Sequence, residues 1–169
     1  EDAGVDVFLR PYAVMPVTRD CGLAEALSGT RSRDQVGRAC DGNLCQYFIQ
    51  TYGAVHSESF HRARTCFIRS LAGYSLISFL LQVKDRNNTN VLIDTNGHII
   101  HVDFSLMLTA TDNFMGAVER APFKLSPEMI EIMGGSVEAE PFKYFANLLI
   151  RSFLAVRLHM HRVIAIVSL

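Results

Sequence analysis

Apolar residues recur at helical spacing along two long stretches of the chain. Between residues 57 and 82 this period predicts one long, buried helix. The same spacing between residues 142 and 167 predicts another helix near the end of the chain. A short helix is predicted for residues 44–52. A further one is predicted in the segment 126–135, which starts with a Ser N-cap followed by Pro and ends in two glycines.

Two other stretches carry short apolar runs interrupted by turn residues, as β-hairpins do. The first, residues 5–26, contains Pro16, which restricts its strand to the edge of a sheet. The second, residues 91–102, has strand-like runs on either side of Asn96-Gly97, a strong hairpin signal. Residues 28–43 are polar and rich in Gly, Ser and Arg, which predicts a linker. The order of these elements predicts a mostly helical α+β fold.

Composition and charge narrow the class of protein. The chain has 169 residues, 49% of them hydrophobic, as expected for one globular domain or the larger part of one. Its 16 Lys and Arg residues nearly balance its 17 Asp and Glu residues, so we expect no nucleic-acid partner. The most apolar stretch, residues 71–83, is shorter than the roughly 20 residues of a bilayer span. Its four cysteines lack zinc-site spacing, which predicts reduced thiols.

Three polar side chains around the second hairpin form the candidate chemical site. If Asn96-Gly97 is a two-residue turn, strand pairing places Asn90 opposite Asp103, with Cβ atoms about 4.5–5.5 Å apart. An amide oxygen and a carboxylate in that position suit Mg²⁺, which completes its shell with water and substrate phosphates. Asp85 lies on the loop that enters the same hairpin. Each residue alone is also typical of an ordinary turn, but together they indicate phosphoryl transfer.

Four separated motifs carry a resemblance to a known family. They are Val-Lys-Asp-Arg-Asn-Asn-Thr-Asn at 83–90, Gly-His-Ile-Ile-His-Val-Asp-Phe at 97–104, Pro-Phe-Lys-Leu at 122–125 and Met-Gly-Gly at 133–135. From about Phe8 onwards the chain resembles the catalytic core of phosphatidylinositol kinases, and most closely the type III beta phosphatidylinositol 4-kinases. The resemblance implies the C-terminal lobe of a protein-kinase-like fold with a remnant of the small-lobe sheet. Residues 1–27 would be the last small-lobe strands and the hinge, and residues 28–169 the helical lobe.

The resemblance also implies an activity and individual roles. The chain is expected to supply the catalytic and activation loops of a phosphatidylinositol 4-kinase, which moves the γ-phosphoryl group of ATP to the 4-hydroxyl of phosphatidylinositol with Mg²⁺ or Mn²⁺. Residues 109–125 match the activation loop. The implied site residues are Asp85, Arg86 and Asn87 for catalysis, Asn90 and Asp103 for the metal, Tyr12, Ala24, Glu25, Leu27 and Val102 for ATP, and Lys124 for the lipid.

Partners and location follow from the same resemblance. We expect ATP, phosphatidylinositol in membranes and the remainder of the small lobe as partners, and a cytoplasmic location, peripheral on organelle membranes of the Golgi type. Lys124 is either a ligand of the head-group phosphate or a solvated surface lysine. The C-terminal helix alternates apolar residues with Arg151, Arg157 and Arg162. It either docks on an anionic membrane or packs against the core of its own lobe.

Two residues depart from the family pattern and leave other functions open. Asn87 stands where the family has His, and an amide does not change protonation state near neutral pH. Ser105 replaces the Gly that follows Asp103-Phe104, where glycine permits backbone angles that serine adopts only at a cost. The chain also contains neither a glycine-rich phosphate loop nor a strand lysine of the Val-Ala-Ile-Lys type. The alternatives are a catalytically impaired scaffolding module and a protein-serine kinase of the same superfamily.

Overall fold

Helices make up most of the regular structure, together with two small antiparallel sheets. The computed structural model describes residues 4–40, 43–108 and 121–168. This composition confirms the predicted α+β class. Within the described residues, none of the helices combines the length and apolarity that a bilayer span needs. In chain order the elements are β1 (Val14–Thr18), β2 (Cys21–Ala24), β3 (Thr30–Ser32), α1 (Arg33–Ala39), α2 (Leu44–Tyr52), α3 (Glu58–Leu80), β4 (Val91–Asp94), β5 (Ile99–His101), α4 (Pro127–Ile132), α5 (Glu140–Leu158) and α6 (Met160–Val167).

The helices predicted from the apolar period are present. α2 has the predicted bounds, and Asn43 caps it by accepting the Gln46 N–H at 2.9 Å. α3 is the long buried helix, and α5 packs along it. The predicted C-terminal helix is instead two helices, because the chain leaves helical geometry at His159. Ser126 stands at the predicted N-cap of α4, but its side chain makes no capping hydrogen bond. The start of α4 is favoured instead by Pro127, whose fixed φ already suits the first turn of a helix.

The N-terminal hairpin is also confirmed. β1 and β2 pair antiparallel with Val14 opposite Ala24, and the pairing is irregular between Pro16 and Thr18. The apolar side chains of β1 face solvent, since Val14 is 65% and Val17 56% exposed. This two-stranded sheet therefore lies outside the buried core.

The linker predicted for residues 28–43 is wrong, because the segment contains β3 and α1. Ser32 and Gln35 form a capping box, in which each side chain accepts the other's backbone N–H, at 3.2 and 2.9 Å. Val36 is fully buried, and the buried Arg33 forms an ion pair with Glu128 of α4. β3 pairs with β4, which lies far along the chain. The polar residues of this segment cap α1 and form ion pairs, and they do not indicate a loop.

The predicted register of the second hairpin is wrong by one residue. β4 and β5 pair with Val91 opposite His101 and Ile93 opposite Ile99. The loop contains three residues instead of two, because the Asp94 carboxylate accepts the backbone N–H groups of Asn96 and His98, at 2.8 and 2.9 Å. Asn90 therefore pairs with Val102, whose N–H it accepts at 3.1 Å, and not with Asp103. Asp103 is the next residue along the chain.

The core is centred on α3 and extends to the helices and the three-stranded sheet on either side. α2 contributes aromatic side chains, β5 contributes two isoleucines, and α5 contributes its N-terminal half. Fully buried large side chains include Phe48, Phe60, Phe67, Leu71, Ile99, Ile100 and Phe145. β3 pairs with β4 and α3 packs against β5, so both strands of the β4–β5 hairpin, which carries the candidate site, contact other elements.

Gly97 is predicted to be essential for the packing of this hairpin on α3. Its φ is +92°, and an added Cβ would lie 2.9 Å from the Ala63 carbonyl oxygen. We expect Gly97→Ala to lower the free energy of unfolding by about 3 kcal/mol, from left-handed backbone strain of about 1–2 kcal/mol and overpacking of about 1–3 kcal/mol. The control is Gly135→Ala, which has φ +75° but open space around its Cβ position. The measurement is urea unfolding of both variants. If Gly97→Ala and Gly135→Ala lost the same free energy of unfolding, the close approach of Gly97 to Ala63 would be contradicted.

Candidate active site

Arg86 joins the loop of residues 84–90 to the end of β5. It is only 6% exposed, and its guanidinium donates to the carbonyl oxygens of Lys84 at 3.0 Å, Val102 at 2.8 Å and Asp103. The same group lies over the Phe104 ring, 5.5 Å from its centre. These contacts position the loop, and the predicted catalytic role of Arg86 stays a prediction.

Three of the predicted site residues meet on this loop. The Asn87 amide donates to Asp85 Oδ1 at 2.8 Å, and the Asn90 amide donates to the Asp85 carbonyl at 2.9 Å and to Oδ2 at 3.2 Å. Asp85 has φ +56°, a left-handed conformation that aspartate tolerates better than most residues. The Asn90 Oδ1 atom has a 3.4 Å contact from the Thr89 hydroxyl. Asp85, Asn87 and Asn90 are therefore neighbours in space, and their roles stay predictions.

Asp103 presents its carboxylate at the exit of β5. Its Oδ1 accepts the Ser105 hydroxyl at 2.6 Å and the Ser105 N–H at 3.1 Å, and its own N–H donates to the Tyr12 hydroxyl at 3.3 Å. The hydrogen bonds from Ser105, the hydroxyl first, hold the pKa of the Asp103 carboxyl below its usual range. The group is therefore ionised at neutral pH. Its φ is +59°, so Asp103, like Asp85, has left-handed backbone.

The donor set fits a divalent cation that is bound together with phosphate. Asn90 and the residue before Asp103 are paired, so both predicted ligands lie at the open end of the hairpin. One amide oxygen and one ionised carboxylate are hard ligands, and Mg²⁺ or Mn²⁺ would take the remaining ones from water and phosphate. Among the residues that the structure describes, no group of three or more His, Cys, Asp or Glu side chains could hold a metal by itself.

An open cavity of about 680 Å³ lies beside Asp103. Tyr12 lines it, and its role in ATP binding stays a prediction. The sequence did not indicate the other lining residues, because Tyr74 lies in a segment predicted as a buried helix and His101 in a predicted hairpin strand. The lining residues are Leu9, Arg10, Pro11, Tyr12, Val14, Tyr74, Ile77, His101, Phe104 and Ser105.

The other predicted ATP-binding residues lie elsewhere in the described structure. Ala24 ends β2, and Glu25 continues the β1–β2 pairing, since its N–H donates to the Ala13 carbonyl at 2.8 Å and its carboxylate accepts the Ala13 N–H at 2.9 Å. The Leu27 carbonyl accepts the Thr30 hydroxyl at 2.7 Å. Val102 pairs with Asn90. None of these four residues lines the cavity, and their role in ATP binding stays a prediction.

Lys124 contacts the loop of residues 84–90 directly. Its Nζ donates to the Arg86 carbonyl at 2.8 Å and to the Asn88 side-chain oxygen at 2.9 Å. Its side chain is half-buried and these two contacts fix its position, while its role toward the lipid stays a prediction. Of the predicted activation loop, residues 109–120 lie outside the described residues.

Comparison with known proteins identifies the family. Residues 2–169 match the family model described as phosphatidylinositol 3- and 4-kinase, and the chain belongs to this family. It is a family of kinases, which use ATP as co-substrate with a divalent metal ion.

Several curated relatives are similar over nearly the whole chain. Phosphatidylinositol 4-kinase stt4 of Schizosaccharomyces pombe is 42% identical over 94% of this chain and 8% of that protein. The putative phosphatidylinositol 4-kinase alpha-like protein P2 of Homo sapiens is 43% identical over 88% of this chain and 25% of that protein. Phosphatidylinositol 4-kinase beta of Xenopus tropicalis is 38% identical over 100% of this chain and 21% of that protein. The chain thus spans a quarter or less of the length of these relatives.

The Ser105 hydroxyl is predicted to set the acidity of Asp103. We expect Ser105→Ala to raise the pKa of the Asp103 carboxyl toward its ordinary value, because the variant loses the largest contribution that lowers it. A carboxyl whose pKa is lower in the folded state than in the unfolded state stabilises the fold at pH values above the ordinary pKa of aspartate. This contribution to stability is lost as the pH falls through the folded-state pKa. Carbon NMR titration of the carboxyl measures the change, with Ser136→Ala as the control. An unchanged pKa would show that the hydroxyl does not contact the carboxylate.

Proposed function

We propose that this chain supplies the catalytic and activation loops of a phosphatidylinositol 4-kinase. The observation that carries the proposal is the contact between Asn90 and Asp85 on a loop that Arg86 joins, through the Val102 and Asp103 carbonyls, to the exit of β5. Asn and Asp side chains in these roles are what ATP-dependent phosphoryl transfer requires. The relatives described above are all named phosphatidylinositol 4-kinases, which favours the 4-hydroxyl of phosphatidylinositol as acceptor.

In this function each side chain has a limited task. Asn90 and Asp103 would hold Mg²⁺ or Mn²⁺, which when bound neutralises charge on the phosphates of ATP. Asp85, oriented by the Asn87 amide at 2.8 Å, directs the attacking 4-hydroxyl and takes its proton. The hydroxyl oxygen forms a bond to the γ-phosphorus, the bond from that phosphorus to the β-phosphate oxygen breaks, and ADP leaves. Tyr12 belongs to the wall of the nucleotide cavity.

Lys124 is proposed as the contact for the head-group phosphate of the lipid. Its Nζ lies within 3 Å of two oxygens of the loop that carries Asp85. An ammonium in this position brings a positive charge close to the acceptor, and phosphate is a favourable partner for it.

The C-terminal helices support a peripheral membrane location, which we propose to be on Golgi-type organelle membranes facing the cytoplasm. The N-terminal half of α5 packs on the core through Phe145 and Leu148. Beyond it the exposed surface combines Arg and apolar side chains, and the sequence after Glu140 contains no Asp or Glu. Such a surface suits the anionic face of a membrane. The exposed residues of this surface include Ile150, Arg151, Leu154, Arg157, Leu158, Arg162, Ile164 and Ile166.

The catalytic proposal predicts that Asp103→Asn lowers lipid phosphorylation by at least about 100-fold, the usual cost of losing one preorganised charge-stabilising group. Asparagine keeps an Oδ1 acceptor for Ser105 and removes only the charge. The measurement is transfer of labelled phosphate from ATP to phosphatidylinositol by the full-length protein, with the product identified as the 4-phosphate. Asp20→Asn, the same change in the exposed β1–β2 turn, is the control and should retain full activity.

Other outcomes of this assay select other functions. Equal activity of wild type and Asp103→Asn would refute the metal-binding role. A wild-type protein without any Mg²⁺-dependent thermal shift on ATP addition would identify the scaffolding module, which the substitutions at Asn87 and Ser105 favour. Phosphorylation of a serine peptide in place of the lipid would identify a protein kinase.

The membrane proposal predicts binding to anionic vesicles through α5 and α6. We expect Leu158→Glu, at an 81% exposed position, to reduce sedimentation of the full-length protein with phosphatidylserine-containing vesicles by at least about tenfold. Val137→Glu, also exposed but between α4 and α5, should bind as wild type does. Added salt should weaken wild-type binding, since the arginines attract the anionic surface. Equal binding of both variants would place the membrane contact elsewhere.

A further inference from the structure

The segment before β1 lies closely along α3. Phe8 N–H donates to the Arg69 carbonyl at 3.2 Å, and the Arg69 side chain forms an ion pair with Asp6. An added Cβ at Gly73 would lie 3.1 Å from both the Phe8 carbonyl oxygen and a methyl group of Leu9. The two backbones are therefore in direct contact, and the segment cannot shift without breaking several long-range contacts.

Tyr74 holds the next residue of this segment through both of its backbone groups. The Arg10 N–H donates to the Tyr74 hydroxyl oxygen at 3.2 Å, and the hydroxyl donates to the Arg10 carbonyl at 3.3 Å. Tyr74 is only 3% exposed, so water does not readily replace these bonds. Two residues after Arg10, the Tyr12 hydroxyl accepts the Asp103 N–H.

The Tyr74 ring makes a second connection toward Asp103. It stacks on the ring of His101, with centroids 4.7 Å apart and planes inclined by 29°. His101 is 3% exposed, and its Nδ1 has no hydrogen-bond partner among the described residues. Burial first, and then the charges of Arg86 and Lys124, lower the pKa of His101 to about 3, so the ring is neutral. His101 is the last residue of β5, two positions before Asp103.

We propose that Tyr74 is a positioning residue for Asp103, acting through Arg10 and Tyr12. The buried hydroxyl fixes the backbone of Arg10, and this places the Tyr12 hydroxyl against the Asp103 N–H. Asp103 has left-handed backbone, which a hydrogen bond to its N–H helps to hold in one orientation. The geometric part of this inference depends only on the contacts above, whereas its consequence for Mg²⁺ and ATP rests on the proposed function.

The test is Tyr74→Phe in the full-length protein, which removes the hydroxyl and keeps the ring on His101. We expect amide hydrogen exchange in a peptide that covers residues 100–104 to become about fivefold faster, as for the loss of about 1 kcal/mol of hydrogen bonding. Calorimetric binding of ATP in the presence of Mg²⁺ should weaken about fivefold. Tyr52→Phe is the matched control, because it removes the hydroxyl of a half-buried tyrosine, which donates to the Asp94 carbonyl at 3.1 Å, and leaves the Arg10 segment untouched.

A double-mutant cycle separates this route from a general loss of stability. If Tyr74 acts through Tyr12, Tyr12→Phe should have the same effect, and the double variant should bind ATP with Mg²⁺ no more than about twofold weaker than either single variant. The inference would be overturned if the double variant lost ATP affinity by the product of the two single losses. It would also be overturned if amide hydrogen exchange at residues 100–104 were unchanged in Tyr74→Phe. If exchange becomes faster in Tyr74→Phe but wild type does not bind ATP with Mg²⁺, the positioning contact stands and the proposed function fails.

Discussion

The guanidinium of Arg86 is the contact on which the geometry of the site depends. It donates to three backbone carbonyl oxygens, one at the start of the loop and two where the chain leaves β5. Arginine suits this task because it stays charged and presents several donors in a fixed plane. Without it, three carbonyl groups in partly buried hydrogen bonds would lose their donor, and the loss of a partner costs about 1–3 kcal/mol at most, the value for a fully buried group. Arg86 therefore links the loop that carries Asp85 to Asp103. The Lys124 ammonium donates to the backbone carbonyl of the same arginine.

Both candidate carboxylates stand on strained backbone, at φ +56° for Asp85 and +59° for Asp103. A left-handed conformation costs a residue with a Cβ about 1–2 kcal/mol, so it persists only where neighbouring contacts hold it. For Asp85 these contacts are the amides of Asn87 and Asn90, and for Asp103 they are Arg86, Tyr12 and Ser105. Both conformations therefore depend on these contacts and not on pairing within the β4–β5 hairpin.

The sequence predicted those parts of the fold that local periodicity determines. α2 and α3 were correctly predicted because their apolar positions repeat at the helical period over many residues. β3 and α1 were missed because their stability comes from distant partners, such as β4 for Thr30 and Glu128 for Arg33. The hairpin register failed because the Asp94 side chain binds two loop N–H groups, which an Asn-Gly turn signal does not reveal. Tyr74 shows the same limit at the site, since a helical tyrosine at core spacing gives no sign that its hydroxyl reaches Arg10.

The two departures from the family pattern have one physical effect in common: each adds hydrogen bonds to a carboxylate. Asn87 donates to Asp85 Oδ1, while its own oxygen accepts from the backbone of Thr89 and Asn90 and from the Thr89 hydroxyl. Ser105 donates twice to Asp103 Oδ1. Neither residue titrates near neutral pH, so neither adds a charge to the site. Within the proposed function, the loop of residues 84–90 has no imidazole to move a proton, so we assign that task to the Asp85 carboxylate, whose Oδ1 accepts the Asn87 amide.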